Sequence, residues 1–377
     1  MDAEVGVIGV GSMGSMAVWQ LARKGVSVIG FEQFGIGHDR GAAGGDTRIF
    51  RTAYKEGADY VPILLEAYQQ WRALEIETGK TLLTITKGLM GETKGSEGLE
   101  NVLRSVRDYS LEHEVLSEEM LQERYPQIRA GADEVIIEDG QAGFVRSQLA
   151  ILAAVDRARE LGASVLPYTT VEKLEEQPDG KGVKITANGK EYTVGKVIIT
   201  AGPWINEVFP LFKENIEIRR LVGTWYPAKQ MEQFSPENMP VISRISEGYS
   251  YYGIPSIDGT MVKMSFSATP AYRIENTKTL ERNVTLKDLE DGKYIIENFF
   301  SGLYSEPNRL QTFMEGYTTD GHPIIGKVPD KENIIVGCGF SGHGFKMASA
   351  IGKILSDIAT DEEIKFPLEK FSPQRFL

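Results

Sequence analysis

The stretch Gly9-Val10-Gly11-Ser12-Met13-Gly14 decides the fold at the start of the chain. It follows the apolar run Val5 to Ile8 and opens a segment whose apolar periodicity predicts a helix from about Met13 to Lys24. A second apolar run, Val26 to Phe31, comes next. A strand, a glycine turn, a helix and a second strand form a βαβ unit, in which the glycines let the backbone approach a pyrophosphate at the helix N-terminus.

An acidic residue ends the second strand of this unit. Glu32 lies 18 residues after Gly14, where a carboxylate accepts a hydrogen bond from a ribose 2′-hydroxyl and disfavours a 2′-phosphate. The pattern does not separate FAD from NAD. It predicts a dinucleotide site formed by Gly9, Gly11, Ser12, Met13, Gly14 and Glu32.

Later α/β segments favour FAD. The sequence predicts a helix from Gln148 to Leu161, strands Ser164 to Leu166 and Lys196 to Thr200, a hairpin at Asp179-Gly180, a strand Ile334 to Val336 and a helix from Gly344 to Ile358. Three features are typical of flavoproteins: the strand-ending Thr200-Ala201-Gly202-Pro203, Asp320-Gly321-His322-Pro323 before the Ile324-Ile325-Gly326 strand, and the glycine-rich turn before the last helix.

The middle of the chain has a different texture. Short alternating runs from about Leu221 to Phe313, separated by Gly, Pro and Asp, predict an antiparallel sheet, and a more irregular segment precedes Arg146. We therefore expect a mixed α/β and α+β protein: a Rossmann-like FAD-binding domain with an inserted antiparallel-sheet substrate domain. The expected boundaries are 1–83, 146–216 and 318–377 for the first domain, and 84–145 and 217–317 for the second.

Composition excludes several classes of function. The chain has 377 residues, 41% of them hydrophobic, with 41 Lys and Arg against 53 Asp and Glu, which gives a formal charge of −12. Such a charge disfavours nucleic acid as a partner. No secretory leader or membrane-spanning run is apparent, so we expect a cytoplasmic protein without a membrane partner. One cysteine, Cys338, and four dispersed histidines predict neither a disulfide nor a metal site.

Two further blocks resemble the monomeric sarcosine oxidase and N-methyltryptophan oxidase family. They are Gly45-Asp46-Thr47-Arg48-Ile49-Phe50-Arg51 with Ala53-Tyr54, and Gly339-Phe340-Ser341-Gly342-His343-Gly344-Phe345-Lys346. The resemblance covers nearly the whole chain and includes Tyr251-Tyr252-Gly253-Ile254-Pro255 and a lysine 11 residues after Tyr252. It implies that FAD oxidises the C–N bond of a secondary amino acid to an imine. Oxygen is then reduced to hydrogen peroxide, and water hydrolyses the imine.

The resemblance also implies roles for individual residues. Arg51 and Lys346 match the positions that bind the substrate carboxylate, a task that suits converging charge-assisted hydrogen bonds. Arg48, placed beside the flavin by the resemblance, lies three residues before Arg51, and a helical turn would project both from one face. Lys263 lies in an alternating strand, with Ser265 and Ser267 on the same side, and matches the cation that stabilises charge developing on oxygen.

Aromatic and backbone groups complete the expected site. Tyr252 and Tyr317 match residues that line the family's substrate cavity. The turn before the last helix directs N–H groups toward the flavin pyrimidine. Beyond the dinucleotide motif, the expected cofactor-binding residues are Thr47, Arg48, Val171, Gly202, Gly339, Gly342, His343, Gly344, Phe345 and Lys346, and we expect His343 to be structural.

The chain departs from the family pattern at three positions. Close relatives attach FAD through a cysteine two residues before the tyrosine that matches Tyr317, and here that position is Glu315. Cys338 does not match it, so we predict non-covalent FAD. Gly44 and Ser267 replace two active-site histidines, which predicts a cavity for a substrate larger or more polar than sarcosine.

Other functions remain open at this point. The chain could oxidise fructosyl amino acids, or could be a flavin amine dehydrogenase that reacts slowly with oxygen. A function of a different class is a flavin-binding module or an imine-reducing partner. Lys263 argues against it, because only oxygen chemistry obviously requires this lysine. An NAD-dependent dehydrogenase would share the first βαβ unit but has no need of the C-terminal glycine turn.

Overall fold

The structure is a computed structural model and describes residues 1–177, 180–266 and 272–377. Its helices are α1 (Ser12–Arg23), α2 (Val61–Thr78), α3 (Glu97–Asp108), α4 (Glu118–Arg124), α5 (Ser147–Glu160), α6 (Ile205–Val208), α7 (Glu290–Phe299) and α8 (Ala348–Ala359). Its strands are β1 (Ala3–Ile8), β2 (Val28–Phe31), β3 (Arg48–Phe50), β4 (Leu83–Ile85), β5 (Gly88–Thr93), β6 (His113–Leu116), β7 (Glu134–Asp139), β8 (Gly143–Val145), β9 (Ser164–Leu166), β10 (Val171–Glu176), β11 (Val183–Ala187), β12 (Lys190–Ile199), β13 (Ile216–Tyr226), β14 (Val241–Ser246), β15 (Tyr249–Ile254), β16 (Val262–Phe266), β17 (Tyr272–Ile274), β18 (Arg309–Thr318), β19 (Ile324–Val328) and β20 (Lys331–Cys338).

The first sheet contains the predicted βαβ unit. Strand β1 is parallel to both β2 and β12, β2 is parallel to β9, and β12 is parallel to β20. Alternate side chains enter different cores: Val7 packs with α1, α5 and α8 on one face, whereas Ile8 belongs to the cluster on the other. Because both faces are covered, these strands are apolar almost throughout. Strands β10 and β11 are antiparallel, as a hairpin requires; Asp179, predicted at its turn, lies outside the described residues.

The second sheet has the order β17-β13-β16-β15-β14-β5-β7-β6, with β18 also paired to β13. Its pairs are antiparallel, as predicted, except for β14, which runs parallel to β5. The third sheet, β3-β8-β4, is small and antiparallel. The expected mixed α/β and α+β architecture is confirmed, and the domain boundaries given above stay a prediction.

Two expectations about regularity were wrong. The segment before Arg146 is not irregular, because α2, α3 and α4 lie in it. Helix α7 interrupts the strands of the second sheet and packs Ile295, Ile296 and Phe299 into that sheet's core. The apolar side of α7 is completed by distant strands, so its local signal is weak. Among the described residues, no helix has both the length and the apolar character needed to cross a membrane.

The arrangement of the sheets creates one edge where functional residues meet. The parallel strands β1, β2, β12 and β20 end on the same side, which is where ligands bind in open α/β sheets. Strands β13, β15, β16 and β18 of the second sheet reach the same space. A cavity of about 570 Å³ lies there.

Candidate active site

The glycine turn after β1 forms one wall of the cavity. Gly9 has a φ of +84°, and a Cβ at Gly14 would lie 1.9 Å from the Gly9 carbonyl oxygen, so helix α1 packs against the turn only with glycine there. At Gly11, which lines the cavity, a Cβ would meet no atom within 4 Å. The turn therefore leaves open space at the positive end of α1, which fits a dinucleotide pyrophosphate.

Glu32 adds an acidic group at the end of β2. Its side chain is buried at the cavity wall, where it accepts hydrogen bonds from the backbone N–H groups of Val10 (3.0 Å) and Phe34 (2.9 Å). These bonds fix the carboxylate beside the glycine turn. The donor and acceptor set of turn, helix end and carboxylate fits the adenosine half of FAD.

The segment that carries Arg48 and Arg51 is extended, so the helical turn predicted for it was wrong. Arg48 begins strand β3, and residues three apart on a strand point to opposite faces. The Arg48 guanidinium donates to the carbonyls of Ala42 and Thr47 and lies 5.2 Å from the Phe313 ring centroid. Both arginines nevertheless line the cavity.

The Lys263 side chain is buried and has two backbone hydrogen-bond partners. Its ammonium donates to the carbonyl oxygens of Gly45 and Thr47, each at 2.7 Å, and only 2% of the residue is exposed. Lys263 is not among the residues that line the cavity, although Ser265 on the same strand is. Burial holds the pKa of the Lys263 amine well below its usual value. The lysine thus lies behind the loop that presents Arg48.

Gly44 does not enlarge the cavity, contrary to expectation. It is not a lining residue, and a Cβ there would lie 2.8 Å from the Phe313 ring and 2.9 Å from the Cα of Asp39. The volume that a histidine would need is filled by Phe313 from β18. Ser267, the other predicted substitution, lies outside the described residues.

Replacing Gly44 by Ala should lower the free energy of unfolding by about 1–3 kcal/mol, because the added methyl overpacks a filled site. A shift of the urea denaturation midpoint would measure the loss. Gly41→Ala, in the same loop, is the control, since its Cβ would make only ordinary van der Waals contacts, with Trp204 at 3.5 Å and His38 at 3.7 Å. Equal midpoints for Gly44→Ala and wild type would show that Phe313 moves aside and that the space is available to a ligand.

Arg51 is anchored by two partners. Its Nη2 atom donates to both carboxylate oxygens of Glu56 at 2.9 Å, and its Nη1 atom donates to the Ser243 hydroxyl at 2.9 Å. Burial is the largest single influence on the pKa of the Glu56 carboxyl and would raise it, but the surrounding charges, of which Arg51 is the strongest, together outweigh burial and lower the pKa to about 2. Arg51 is therefore a rigid, buried cation beside a permanent carboxylate.

Lys346 is the second cation of this wall. Its Nζ atom donates to the His343 carbonyl at 2.6 Å and to the Tyr54 hydroxyl at 3.4 Å. Burial, reinforced by the charge of Arg51, lowers the pKa of the Lys346 amine to about 7. The Tyr54 ring lies beneath both cations, with its centroid 5.0 Å from Arg51 Cζ and 5.3 Å from Lys346 Nζ.

Glu315 faces the turn that precedes α8. Its Oε1 atom accepts a hydrogen bond from the Gly342 N–H at 3.0 Å, and burial raises the pKa of its carboxyl. Tyr317 packs against the same turn, since a Cβ at Gly342 would lie 2.7 Å from its hydroxyl oxygen. A carboxylate thus stands on the cavity wall at the position where the family resemblance expects a cysteine.

The structure brings most of the predicted site residues to one cavity. The lining residues among them are Gly9, Gly11, Ser12, Met13, Glu32, Arg48, Arg51, Val171, Gly202, Tyr252, Glu315, Tyr317, Gly339, Gly342, His343, Gly344, Phe345 and Lys346. Four predicted residues lie behind the wall and do not line the cavity. The two glycines, Gly14 and Gly44, pack against wall residues, and Lys263 donates to the Thr47 carbonyl.

Sequence reasoning missed several residues of the wall. Glu56 and Ser243 hold Arg51, Tyr54 was noted only as part of a motif, and Phe313 fills the space beside Gly44. A charge of opposite sign five residues after Arg51 was a signal for Glu56. No local signal pointed to Ser243 or Phe313, because each meets its partner only in the folded chain.

Comparison with known proteins agrees with this geometry. A family model described as FAD dependent oxidoreductase matches residues 4–358. Monomeric sarcosine oxidase of Streptomyces avermitilis is 32% identical over 375 residues, covering 99% of this chain and 97% of that protein. N-methyl-L-tryptophan oxidase of Yersinia pestis is 29% identical over 381 residues, covering 100% of each.

A solved structure shares the fold. The open form of NikD, an unusual amino acid oxidase essential for nikkomycin biosynthesis, superposes with a TM-score of 0.84 at 19% identity, covering 98% of this chain and 97% of that one. At that identity the likeness concerns the fold alone. The full-length matches show that the chain belongs to the FAD dependent oxidoreductase family, within the group that contains monomeric sarcosine oxidase and N-methyl-L-tryptophan oxidase.

Proposed function

We propose that the protein oxidises the C–N bond of an N-methyl amino acid to an imine, with O2 reduced to hydrogen peroxide and the imine hydrolysed by water. The observation that carries this proposal is the pair of buried cations, Arg51 and Lys346, in a cavity that also contains the dinucleotide turn. Two such cations suit a carboxylate. When bound, FAD would accept the two electrons that the amine loses, together with hydrogen, as its C–N single bond becomes a C=N bond.

The wall residues would divide the work as follows. Arg51 and Lys346 bind the carboxylate and so fix the amine end of the substrate, because a bound carboxylate removes most rotational freedom. Tyr252 and Tyr317 would flank the substrate and limit water access, and Arg48, which lines the same cavity, would supply positive charge. Lys263 would act on oxygen reduction through its charge from behind the loop of residues 45–47.

A substrate panel tests the proposal. Purified protein should release hydrogen peroxide with sarcosine or other N-methyl amino acids, and much less with their methyl esters. Fructosyl-glycine is included because a fructosyl amine:oxygen oxidoreductase of Aspergillus fumigatus shares the fold, with a TM-score of 0.79. Higher kcat/KM for fructosyl-glycine than for every N-methyl amino acid would replace the proposed substrate class, and reduction without peroxide would indicate another electron acceptor.

We propose that FAD is bound without a covalent link. Acid precipitation of the purified protein should leave the yellow flavin in the supernatant, because Glu315 offers no thiolate for a thioether. Cys338 lines the same cavity, but its thiol is buried and burial raises its pKa, which disfavours the thiolate. Glu315→Gln should release flavin equally. A yellow pellet would contradict the proposal and would mean that another side chain attaches the cofactor.

Binding of a carboxylate should weaken above neutral pH. The pKa of Lys346 is lowered to about 7, so its ammonium is present below that pH and is lost as pH rises. The affinity for methoxyacetate, a carboxylate without an oxidisable amine, should fall by up to about tenfold per pH unit above 7. Calorimetric titration measures this. In Lys346→Arg the dependence should disappear; an unchanged slope in that variant would assign the titration to another group.

A further inference from the structure

A chain of hydrogen bonds leads away from Lys346. The Lys346 ammonium lies 3.4 Å from the Tyr54 hydroxyl, which lies 2.9 Å from His343 Nδ1. The other ring nitrogen, His343 Nε2, lies 3.0 Å from the Gly321 carbonyl oxygen. Tyr54 is 0% exposed and His343 is 7% exposed, so no bulk water competes for these bonds.

The Gly321 carbonyl oxygen, which ends this chain, and the single proton of the His343 ring together set the direction of each hydrogen bond. A carbonyl oxygen only accepts, so His343 Nε2 carries a proton. Burial lowers the pKa of His343 to about 4, so near neutral pH the ring holds a single proton and Nδ1 is an acceptor. The Tyr54 hydroxyl has two acceptors, Nδ1 at 2.9 Å and the His343 carbonyl oxygen at 3.3 Å, and it donates to Nδ1, the nearer one. Its oxygen lone pairs remain free to accept from Lys346.

We propose that Tyr54 and His343 are positioning residues, which hold Lys346 as an oriented ammonium for the substrate carboxylate through this one-way chain of hydrogen bonds. The inference rests on the proposed function, because it assigns the two residues to the same carboxylate site. Neither residue needs to touch the substrate.

The ring of Tyr54 contributes in a second way. Two cations on one wall repel each other, and the electron-rich face of a tyrosine between them lowers that cost. Other charges also act on Lys346, and they come from three segments: Lys55 and Glu56 after β3, Arg51 at the end of β3, and Glu315 on β18. Tyr54→Phe keeps the ring and these charges and removes only the hydroxyl.

The test compares Tyr54→Phe with Tyr60→Phe. Tyr60 is a matched control: it is also buried, its hydroxyl bonds His322 Nδ1 at 2.7 Å, and its ring packs 5.1 Å from that of Tyr54. Calorimetric titration of the FAD-loaded protein with methoxyacetate should give a Kd about tenfold higher for Tyr54→Phe and an unchanged Kd for Tyr60→Phe. In Tyr54→Phe, the pH above which methoxyacetate binding weakens should also be lower than in wild type. The KM for substrate should rise in Tyr54→Phe, with kcat within about twofold.

Variants of His343 provide the second arm. His343→Asn keeps an acceptor near the position of Nδ1 and should retain near wild-type Kd, whereas His343→Leu should match Tyr54→Phe. Long-range 15N NMR of labelled histidine should show the Nε2-protonated tautomer of His343 between pH 6 and 8, and the chain has four histidines to resolve.

The outcomes separate the two proposals. Three results would overturn the positioning role while leaving carboxylate binding intact. They are equal Kd values for Tyr54→Phe and wild type, a rise in Kd for Tyr60→Phe equal to that for Tyr54→Phe, and a His343 ring that is protonated on Nδ1. A wild-type protein that binds no carboxylate at all would overturn the proposed function and this inference with it.

Discussion

Replacing Arg51 by Met is expected to lower kcat/KM for an N-methyl amino acid by about 1,000-fold, roughly 4 kcal/mol. The variant loses the guanidinium that would bind the substrate carboxylate. It also leaves Glu56 without its bidentate partner, so a negative charge would face the incoming carboxylate. Steady-state kinetics with the acid and its methyl ester should show the loss for the acid and a much smaller one for the ester.

Two companion variants separate the causes. Arg51→Lys keeps the charge but not the fork of donors, and should lose less activity than Arg51→Met. Adding Glu56→Gln to Arg51→Met should recover part of the loss, because it removes the orphaned carboxylate. If Arg51→Met kept kcat/KM within tenfold of wild type, the carboxylate would have to bind elsewhere in the cavity.

Replacing Lys263 by Met is expected to slow reaction of the substrate-reduced enzyme with O2 by about 100-fold. The buried amine donates to the loop carbonyls of Gly45 and Thr47, and its charge would stabilise the negative charge that develops on oxygen. Stopped-flow mixing of anaerobically reduced enzyme with oxygenated buffer measures this step.

The structure also gives Lys263 a role in holding the loop, and the two half-reactions distinguish the roles. A loop that merely loosened would misplace Arg48 and slow reduction by substrate and oxidation by O2 alike. If Lys263 acts on oxygen, Lys263→Met should slow only the oxidation of reduced flavin by O2 and leave its reduction by substrate unchanged. Ser265→Ala, on the same strand, should change neither. An unchanged oxidation rate in Lys263→Met would remove Lys263 from the oxygen reaction.

The fold was predictable where local sequence and tertiary structure agree. Gly9, Gly14 and Glu32 lie within one βαβ unit, so spacing alone placed the turn, the helix and the acid. The parallel pairing of β14 with β5 was not predictable in this way, because its partners are far apart in sequence and neither strand encodes the other's direction. Helix α7 was missed for a related reason: its apolar side is completed by the second sheet.

The site was predictable as a set of residues but not as a geometry. Arg51 and Lys346 were identified from the resemblance, yet only the folded chain reveals that Tyr54 lies beneath both. Gly44 looked like vacant space in sequence because the ring that fills it, Phe313, belongs to β18. Glycine in a sequence reports a missing side chain, whereas cavity volume depends on what packs against it.

If the proposed function is correct, this cavity binds FAD and uses Arg51 and Lys346 to present a secondary amino acid to it. The most direct measurement is anaerobic mixing of the purified yellow protein with sarcosine and with N-methyl-L-tryptophan while the visible flavin absorbance is recorded. At least one of the two amino acids should bleach the flavin, and its methyl ester should do so far more slowly. Flavin that no N-methyl amino acid bleaches, or that acid and ester bleach equally fast, would contradict the proposed function.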